Sequence, residues 1–336
     1  MLAARSRRMA VVRARSGGQK RRQARVVRSS ESEEAHRCGF VAVVGRPNAG
    51  KSSLVNSAAG GKLSIVTRKA NTTRQSILAL ASGDAFQAVL LDTPGVMRFQ
   101  TSRLDSTMMS NLRSSVSTAD AIVLLLDASS QPLTQLHELA PPSQRPLSAP
   151  CLVAVNKADL LTPDSRSRLT DALLSEDPPL GDSLLVSAET GENVSNVLDW
   201  AVQHLPESPA LYPKDLASEH DERFFVSEMV RETALELYQQ EIPYAMFVSV
   251  PYFKERPNAK DYVLAEITVE RESQKAIVLG HKGQALKKLS TEARHAIEDF
   301  LGRPIYLDMN VRVQSKWRKR SAASAHYETY DRSGRM

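Results

Sequence analysis

The sequence predicts an α/β chain in which a doubly wound, mostly parallel sheet is followed by a smaller α+β unit. Three observations carry this. From Phe40 onward, short apolar, β-branched runs alternate with longer amphipathic stretches, as strands covered on both faces and separated by helices require. A glycine-rich loop, Gly45-Arg46-Pro47-Asn48-Ala49-Gly50-Lys51-Ser52, directly follows the first run. Beyond Leu205, Pro206, Pro209 and Pro213 punctuate a polar stretch, after which the order of elements changes.

The expected strands of the first unit are Phe40 to Val44, Phe86 to Leu91, Ala121 to Leu126, Cys151 to Val155 and Ser183 to Val186. In the second unit Arg223 to Gln240 has helical spacing, and Tyr244 to Val250 and Tyr262 to Arg271 read as strands. Ser273 to Leu279 and Gln284 to Leu301 read as helices joined by Gly280-His281-Lys282-Gly283, and Pro304 to Val313 as a final strand. The expected organisation is a basic leader over 1–36, a nucleotide-binding unit over 37–205, a linker over 206–222, a second unit over 223–320 and a tail over 321–336.

Composition sets limits on function. The 336 residues are 42% hydrophobic and 24% charged, ordinary for chains with packed cores. The net charge of +6 is uneven: residues 1–30 hold nine Arg and one Lys without an acid, and Glu270 to Arg320 hold twelve basic against six acidic residues. The remainder is acidic, which excludes a uniformly basic nucleic-acid coat. Cys38 and Cys151 are far apart, without metal or redox spacing. The longest apolar runs are about six residues, against the roughly 18 a membrane span needs, so no stable membrane insertion is expected. The Arg-, Ala-, Val- and Ser-rich start, free of acids before Glu31, has the composition of an organelle-targeting leader; a basic RNA-touching arm is the alternative.

In a phosphate-binding loop, successive backbone N–H groups and a helix N-terminus face the phosphates. Lys51 is placed to reach the β- and γ-phosphates, and Ser52, followed by Ser53, to ligate Mg²⁺. Asp92-Thr93-Pro94-Gly95 follows a strand, so Asp92 can hold the Mg²⁺ and the Gly95 backbone can meet the γ-phosphate, with Val96 next in line. Asn156-Lys157-Ala158-Asp159 selects the base: a carboxylate accepts both N1–H and the exocyclic amine of guanine, a pair that adenine lacks. Two charged hydrogen bonds are worth about two to four powers of ten in preference. Ser187-Ala188-Glu189 closes the pocket, with the Ala188 N–H expected at the guanine O6. Between the first two motifs, one hydroxyl of Thr72-Thr73 is expected on Mg²⁺ when the γ-phosphate is present.

With these residues in place, the sequence resembles the Era family of GTPases from about Phe40 to Arg318. The resemblance rests on GRPNAGKSSLVN (45–56), TRKANTTRQ (67–75), DTPG, NKAD, SAETG, RFFVSEMVRETALELYQQEIPY (223–244) and VERESQKAIVLGHKGQALKKLSTEARHAIEDFLGRPIYL (269–307). It implies a P-loop GTPase fold followed by a type II KH domain, Ser52 and Thr73 as Mg²⁺ ligands, and Lys51, Thr73, Asp92 and Gly95 as the catalytic set. Switch I would span about Lys62 to Arg74. Val96 stands where Ras-like enzymes keep a water-positioning Gln, which implies slow intrinsic hydrolysis. Asn48 resembles the Asn of relatives that hold K⁺, with Thr67, Lys69 and Thr72 at the matching switch I positions; a loop-stabilising hydrogen bond is the other reading. Asn71, Val96-Met97-Arg98-Phe99, Leu307 to Val311 and the Pro-rich Gln131 to Pro150 depart from the family pattern.

Gly280-His281-Lys282-Gly283 lies between two helices, as the backbone-clamping loop of a KH domain does. Lys275, Lys287, Lys288 and Arg294 on the adjoining helices join Lys282 and His281 as the expected RNA contacts, with Ile277, Val278 and Leu286 in the groove or core. Trp317, among Lys316, Arg318, Lys319 and Arg320, reads equally as RNA surface or domain cap. The resemblance implies single-stranded RNA from the 3′ region of small-subunit ribosomal RNA as target, the small ribosomal subunit as partner, a monomer, and GTP-gated action in subunit assembly. An RNA-docking protein with GTP as a structural ligand and little turnover is the alternative. The leader implies a mitochondrion or chloroplast; a bacterial-type cytoplasm is the alternative.

Overall fold

Continuous apolar runs become central strands because every side chain on them is covered. The structure, a computed structural model, describes residues 35–64, 66, 77–96, 103–144, 147, 149–177, 179–315 and 317. Residues 1–34 of the leader, switch I residues Thr67, Lys69, Asn71, Thr72 and Thr73, residues 97–99, Lys316, Arg318 to Arg320 and the tail lie outside them. Among the described residues the first unit runs β1 (Arg37–Gly45), α1 (Lys51–Ala59), β2 (Ile77–Ser82), β3 (Phe86–Asp92), α2 (Arg103–Thr118) and β4 (Ala121–Asp127). It continues through α3 (Pro132–Leu139), β5 (Cys151–Asn156), α4 (Pro163–Leu174), β6 (Asp182–Leu185) and α5 (Val194–His204).

The strands form one six-stranded sheet in the order β2-β3-β1-β4-β5-β6. All neighbours are parallel except β2, which pairs antiparallel with β3, Ile77 opposite Asp92 and Ser82 opposite Gln87. Leu54 and Val55 of α1 and Val194, Val197 and Ala201 of α5 pack on one face. Met109 and Leu112 of α2 and Leu136 of α3 pack on the other, making the sheet doubly wound. Strand β2 is absent from the sequence expectation; it is joined to β3 by a short turn at Gly83, whose N–H donates to the Phe86 carbonyl. Cys38 and Cys151 are buried free thiols.

The proline-punctuated stretch is pinned along β2 and β3. The Leu80 N–H donates to the Ala217 carbonyl at 2.9 Å, Ser218 Oγ donates to the Leu78 carbonyl, and Gln87 and Tyr212 exchange two hydrogen bonds. Its backbone thus covers an edge strand that would otherwise be open to pairing.

The second unit contains α6 (Glu222–Leu237), α7 (Ile242–Ala245), β7 (Phe247–Lys254), β8 (Asp261–Val269), α8 (Glu272–Leu279), α9 (Gln284–Leu301) and β9 (Ile305–Val313). Strand β8 is central, antiparallel to β7 and parallel to β9. The expected strand from Tyr244 instead begins at Phe247, because Pro243 in the first turn favours the helical turn of α7. Helix α6 joins two cores: Phe224 and Phe225 pack with the first unit, while Val226, Met229, Val230 and Ala234 pack with the second. Trp317 is 2% exposed, donates Nε1–H to the Ala245 carbonyl and packs on Phe247, so it caps the second unit rather than extending an RNA surface.

Candidate functional site

Four loops meet at the carboxyl edge of the large sheet, following β1, β3, β5 and β6. In the first, Asn48 takes φ 64° and Gly50 φ 91°, curling the backbone before α1 starts at Lys51. A side chain on Gly50 would collide with Asn156 Nδ2, so glycine is required by conformation and by space. Lys51 is buried and donates to the Gly45 carbonyl at 3.2 Å and the Arg46 carbonyl at 3.0 Å. Burial pushes its ammonium down from the ordinary 10.5 to about 8, against the opposing pull of the Asp92 carboxylate. Arg46 is ion-paired with Glu138 of α3, and Ser53 lies half-buried on the first turn of α1.

Asp92 ends β3 fully buried and accepts a hydrogen bond from Ser52 Oγ at 2.7 Å. A hydroxyl and a carboxylate converging there are hard oxygen donors of the kind Mg²⁺ takes, so the residues present fit that ion. Thr93 donates Oγ1–H to the Val43 carbonyl at 2.6 Å, locking the loop to β1. Pro94 and Gly95 are buried, with Gly95 against Pro47. The Val96 N–H donates to the Gly45 carbonyl at 3.1 Å, tying this loop to the first.

The Asn156 side chain joins two loops: Nδ2 donates to the Ala49 carbonyl at 2.8 Å and Oδ1 accepts the Ala188 N–H at 2.9 Å. The sequence reading puts that Ala188 N–H at the base. In the structure that N–H donates to Asn156, whose carboxamide oxygen stands 2.9 Å away on a buried side chain. Ser187 Oγ donates to Asp159 Oδ1 at 2.5 Å, orienting a carboxylate that is otherwise exposed at the rim beside exposed Glu189. Ala158 donates its N–H to the Val186 carbonyl, and Lys157 Nζ donates to Asp127 Oδ2 at 2.6 Å. Burial raises the Asp127 carboxyl, but hydrogen bonds from Lys157 and Ser129 outweigh it and hold the group below the usual carboxylate range.

Sequence reasoning missed the braces behind these loops. Arg166 donates to Glu192 at 2.5 Å and to the Ala158 carbonyl at 2.7 Å, fastening the third loop to the fourth. Asn56 of α1 accepts the N–H groups of Leu63 and Ser64 and donates to the Ser64 carbonyl, all at 2.8 Å. Neither brace has a local motif that would reveal it.

On the second unit, α8 ends at Gly280 with φ 67° and ψ −178°, where a side chain would come within 2.6 Å of Ala285 Cβ. Lys282 and Gly283 also take positive φ, 50° and 76°. His281, Lys282, Lys287 and Lys288 are exposed and Lys275 half-exposed around this turn. Val278 is buried, Leu286 half-buried and Ile277 51% exposed beside the loop. Arg294 and Lys288 each have an acid one turn on in α9, Glu298 at 2.6 Å and Glu292 at 3.8 Å.

Residues 40–157 match a family model described as 50S ribosome-binding GTPase, and residues 241–318 one described as KH domain. The chain is 44% identical over 286 residues to a chloroplastic GTPase ERA-like protein of Oryza sativa, covering 84% of this chain and 67% of that protein. It is 37% identical to the GTPase Era of Geotalea daltonii, covering 85% of this chain and 95% of that one. Among solved structures it is similar to an Era bound to MgGDPNP and nucleotides 1506–1542 of 16S ribosomal RNA, with 32% identity, a TM-score of 0.79, and coverage of 86% of this chain and 98% of that one. A single-residue variant of Aquifex aeolicus Era bound to GDP and aluminium fluoride matches equally.

Proposed function

The chain belongs to the Era family of GTPases, and from that premise we propose that it binds the 3′ region of small-subunit ribosomal RNA in a GTP-gated manner during assembly of the small ribosomal subunit. The observation that carries this reading is the joining of the two candidate sites by one largely buried helix. Four nucleotide-contacting loops stand at one sheet edge, the GHKG turn stands on the second unit, and α6 packs into both cores. Residues 37–205 serve GTP, residues 223–320 serve RNA, and residues 206–222 fasten the two. Gly45 to Ser53, Asp92 to Val96, Asn156 to Asp159 and Ser187 to Glu189 hold the nucleotide, and Lys275, Gly280 to Gly283, Lys287, Lys288 and Arg294 meet the RNA.

Ser52 and Asp92 hold Mg²⁺, which when bound neutralises charge on the β- and γ-phosphates. Lys51 adds a charge between the phosphates, and Thr73 supplies a further oxygen from switch I. Asn48, exposed on the phosphate loop, would hold a K⁺, which when bound would supply the positive charge that an arginine finger brings. Turnover in potassium and sodium buffers tests this: equal rates would remove the K⁺. The leader delivers the chain to an organelle, the plastid being the favoured one because three similar plant proteins are chloroplastic. Imaging a fluorescent fusion of residues 1–40 tests that address.

The main experiment measures affinity for an RNA of nucleotides 1506–1542 of 16S ribosomal RNA with a GTP analogue and with GDP. Tighter binding with the analogue is expected. Equal affinities would instead favour a docking protein with structural GTP.

A further inference from the structure

The first residues of the expected switch I are clamped from both sides. On one side, Asn56, on the helix that begins at the phosphate loop, holds Leu63 and Ser64. On the other, a single carboxylate from the second unit receives two donors: Lys62 Nζ at 2.6 Å and the Val66 N–H at 3.1 Å both reach Glu232 of α6. Glu232 is 7% exposed. One buried carboxylate receiving two donors holds both in one geometry.

Helix α6 carries this contact toward the RNA side. Six residues beyond Glu232, the C-cap of α6, where the backbone turns extended, is Tyr238. Its hydroxyl donates to the Val278 carbonyl at 2.8 Å, and Val278 lies two residues before Gly280 of the GHKG turn. Both Tyr238 and Val278 are buried. Between the two contacts α6 is buried from Thr233 to Leu235. A helix packed this densely moves as a rod, since close-packed interiors deform little.

We propose that Glu232 is the positioning residue through which nucleotide state reaches the RNA face, acting through Lys62 and Val66 on one side and, through the C-terminal turns of α6, on Tyr238 and Val278. This inference rests on the GTP-gated reading above and names the residues that perform the gating. Reciprocity follows from linkage: whatever factor GTP adds to RNA affinity, RNA adds to GTP affinity, and both pass through the same carboxylate.

The test uses the full chain and an RNA of nucleotides 1506–1542 of 16S ribosomal RNA, with affinity read in the presence of a GTP analogue and of GDP. The wild-type ratio is expected to be about fivefold or more, the usual lower range of coupling between sites. Glu232→Gln is expected to bring the ratio to about one while leaving GDP affinity, and RNA affinity in the GDP state, unchanged. Glu232→Asp should restore part of the ratio, a rescue that a purely structural role would not produce. If Glu232→Gln does not fold, Lys62→Met, whose native side chain is half exposed, and Tyr238→Phe serve in its place, and each should lower the ratio. A wild-type ratio retained by all the folded variants overturns the role of Glu232 and leaves the proposed function standing. A wild-type ratio of one removes the gating itself, and both readings fall with it.

Discussion

Ser52 Oγ donates to Asp92 Oδ2 across 2.7 Å, linking the first turn of α1 to the end of β3. These residues are 40 apart in sequence, yet they meet in a buried place beside Lys51. The contact brings together the two oxygens expected to share Mg²⁺. Replacing Ser52 by Ala removes one ligand and leaves the fold of the loop intact. GTP affinity in Mg²⁺ should fall by about one to two powers of ten, the worth of one interaction with a charged group. In EDTA, wild type and variant should bind alike; an equal loss with and without Mg²⁺ would show that the hydroxyl serves the loop and not the metal.

Lys51 makes nucleotide binding depend on pH. Its folded value of about 8 lies below the ordinary 10.5, so without nucleotide the native state holds fewer protons than the unfolded chain between those values. The sign is therefore a penalty of about 3 kcal/mol, fully present below pH 8 and relieved as pH rises toward 10.5. Nucleotide-free stability should rise across that window in wild type, and this rise should be missing from Lys51→Met. Phosphates restore the charged form, so GTP affinity should fall by up to about tenfold per pH unit above about 8. Calorimetry in buffers of different ionisation enthalpy should detect proton uptake on binding at about pH 9, and none would refute the buried ammonium. Lys51→Ala should abolish nucleotide binding.

Asp159 is exposed at the rim, and Ser187 Oγ at 2.5 Å turns it toward the pocket. Asp159→Asn keeps the shape but replaces one acceptor by a donor. Preference for GTP over ATP should fall by about two to four powers of ten, and over XTP it should fall too, because xanthine offers a carbonyl where guanine has its amine. Competition binding with the three nucleotides measures this, and unchanged selectivity would take base recognition away from this carboxylate.

Gly283 has φ 76° and open space where a side chain would stand. Gly283→Ala therefore costs only the strain of a positive φ, about 1 kcal/mol. Gly283→Asp adds a negative charge where a phosphate backbone approaches, and RNA affinity should drop by about tenfold or more while GTP binding stays the same. Lys282→Ala should lower affinity across sequences and reduce the salt slope by about one. Unchanged RNA binding in Gly283→Asp would move the interface elsewhere.

The nucleotide loops are legible in the sequence because each is a local device. A strand end, a glycine that alone tolerates φ 91°, and a carboxylate after an apolar run can each be recognised within a few residues. The doubly wound sheet is legible for the same reason, through runs such as Ala121 to Leu126 that are buried along their whole length. Strand β2 is not, because Ile77–Ser82 is identified by its pairing with β3 as much as by its own pattern. Trp317 reads equally as RNA surface or cap, and only its contacts with Ala245 and Phe247 decide for the cap.

By itself the sequence determined the order of the chemistry: a phosphate loop, an acid at a strand end, a base-selecting Asn-Lys-Ala-Asp, a closing Ser-Ala-Glu and a Gly-His-Lys-Gly turn in a second unit. Those functions depend on backbone geometry over a few residues, which residue type and spacing encode. Tertiary structure alone decided how they are joined: Asn156 bridging Ala49 and Ala188, the 206–222 stretch laid along β2, and Glu232 holding Val66 from 166 residues away. Such contacts arise from where packing sets whole elements against one another, and no local pattern marks the partner of a carboxylate on a distant helix.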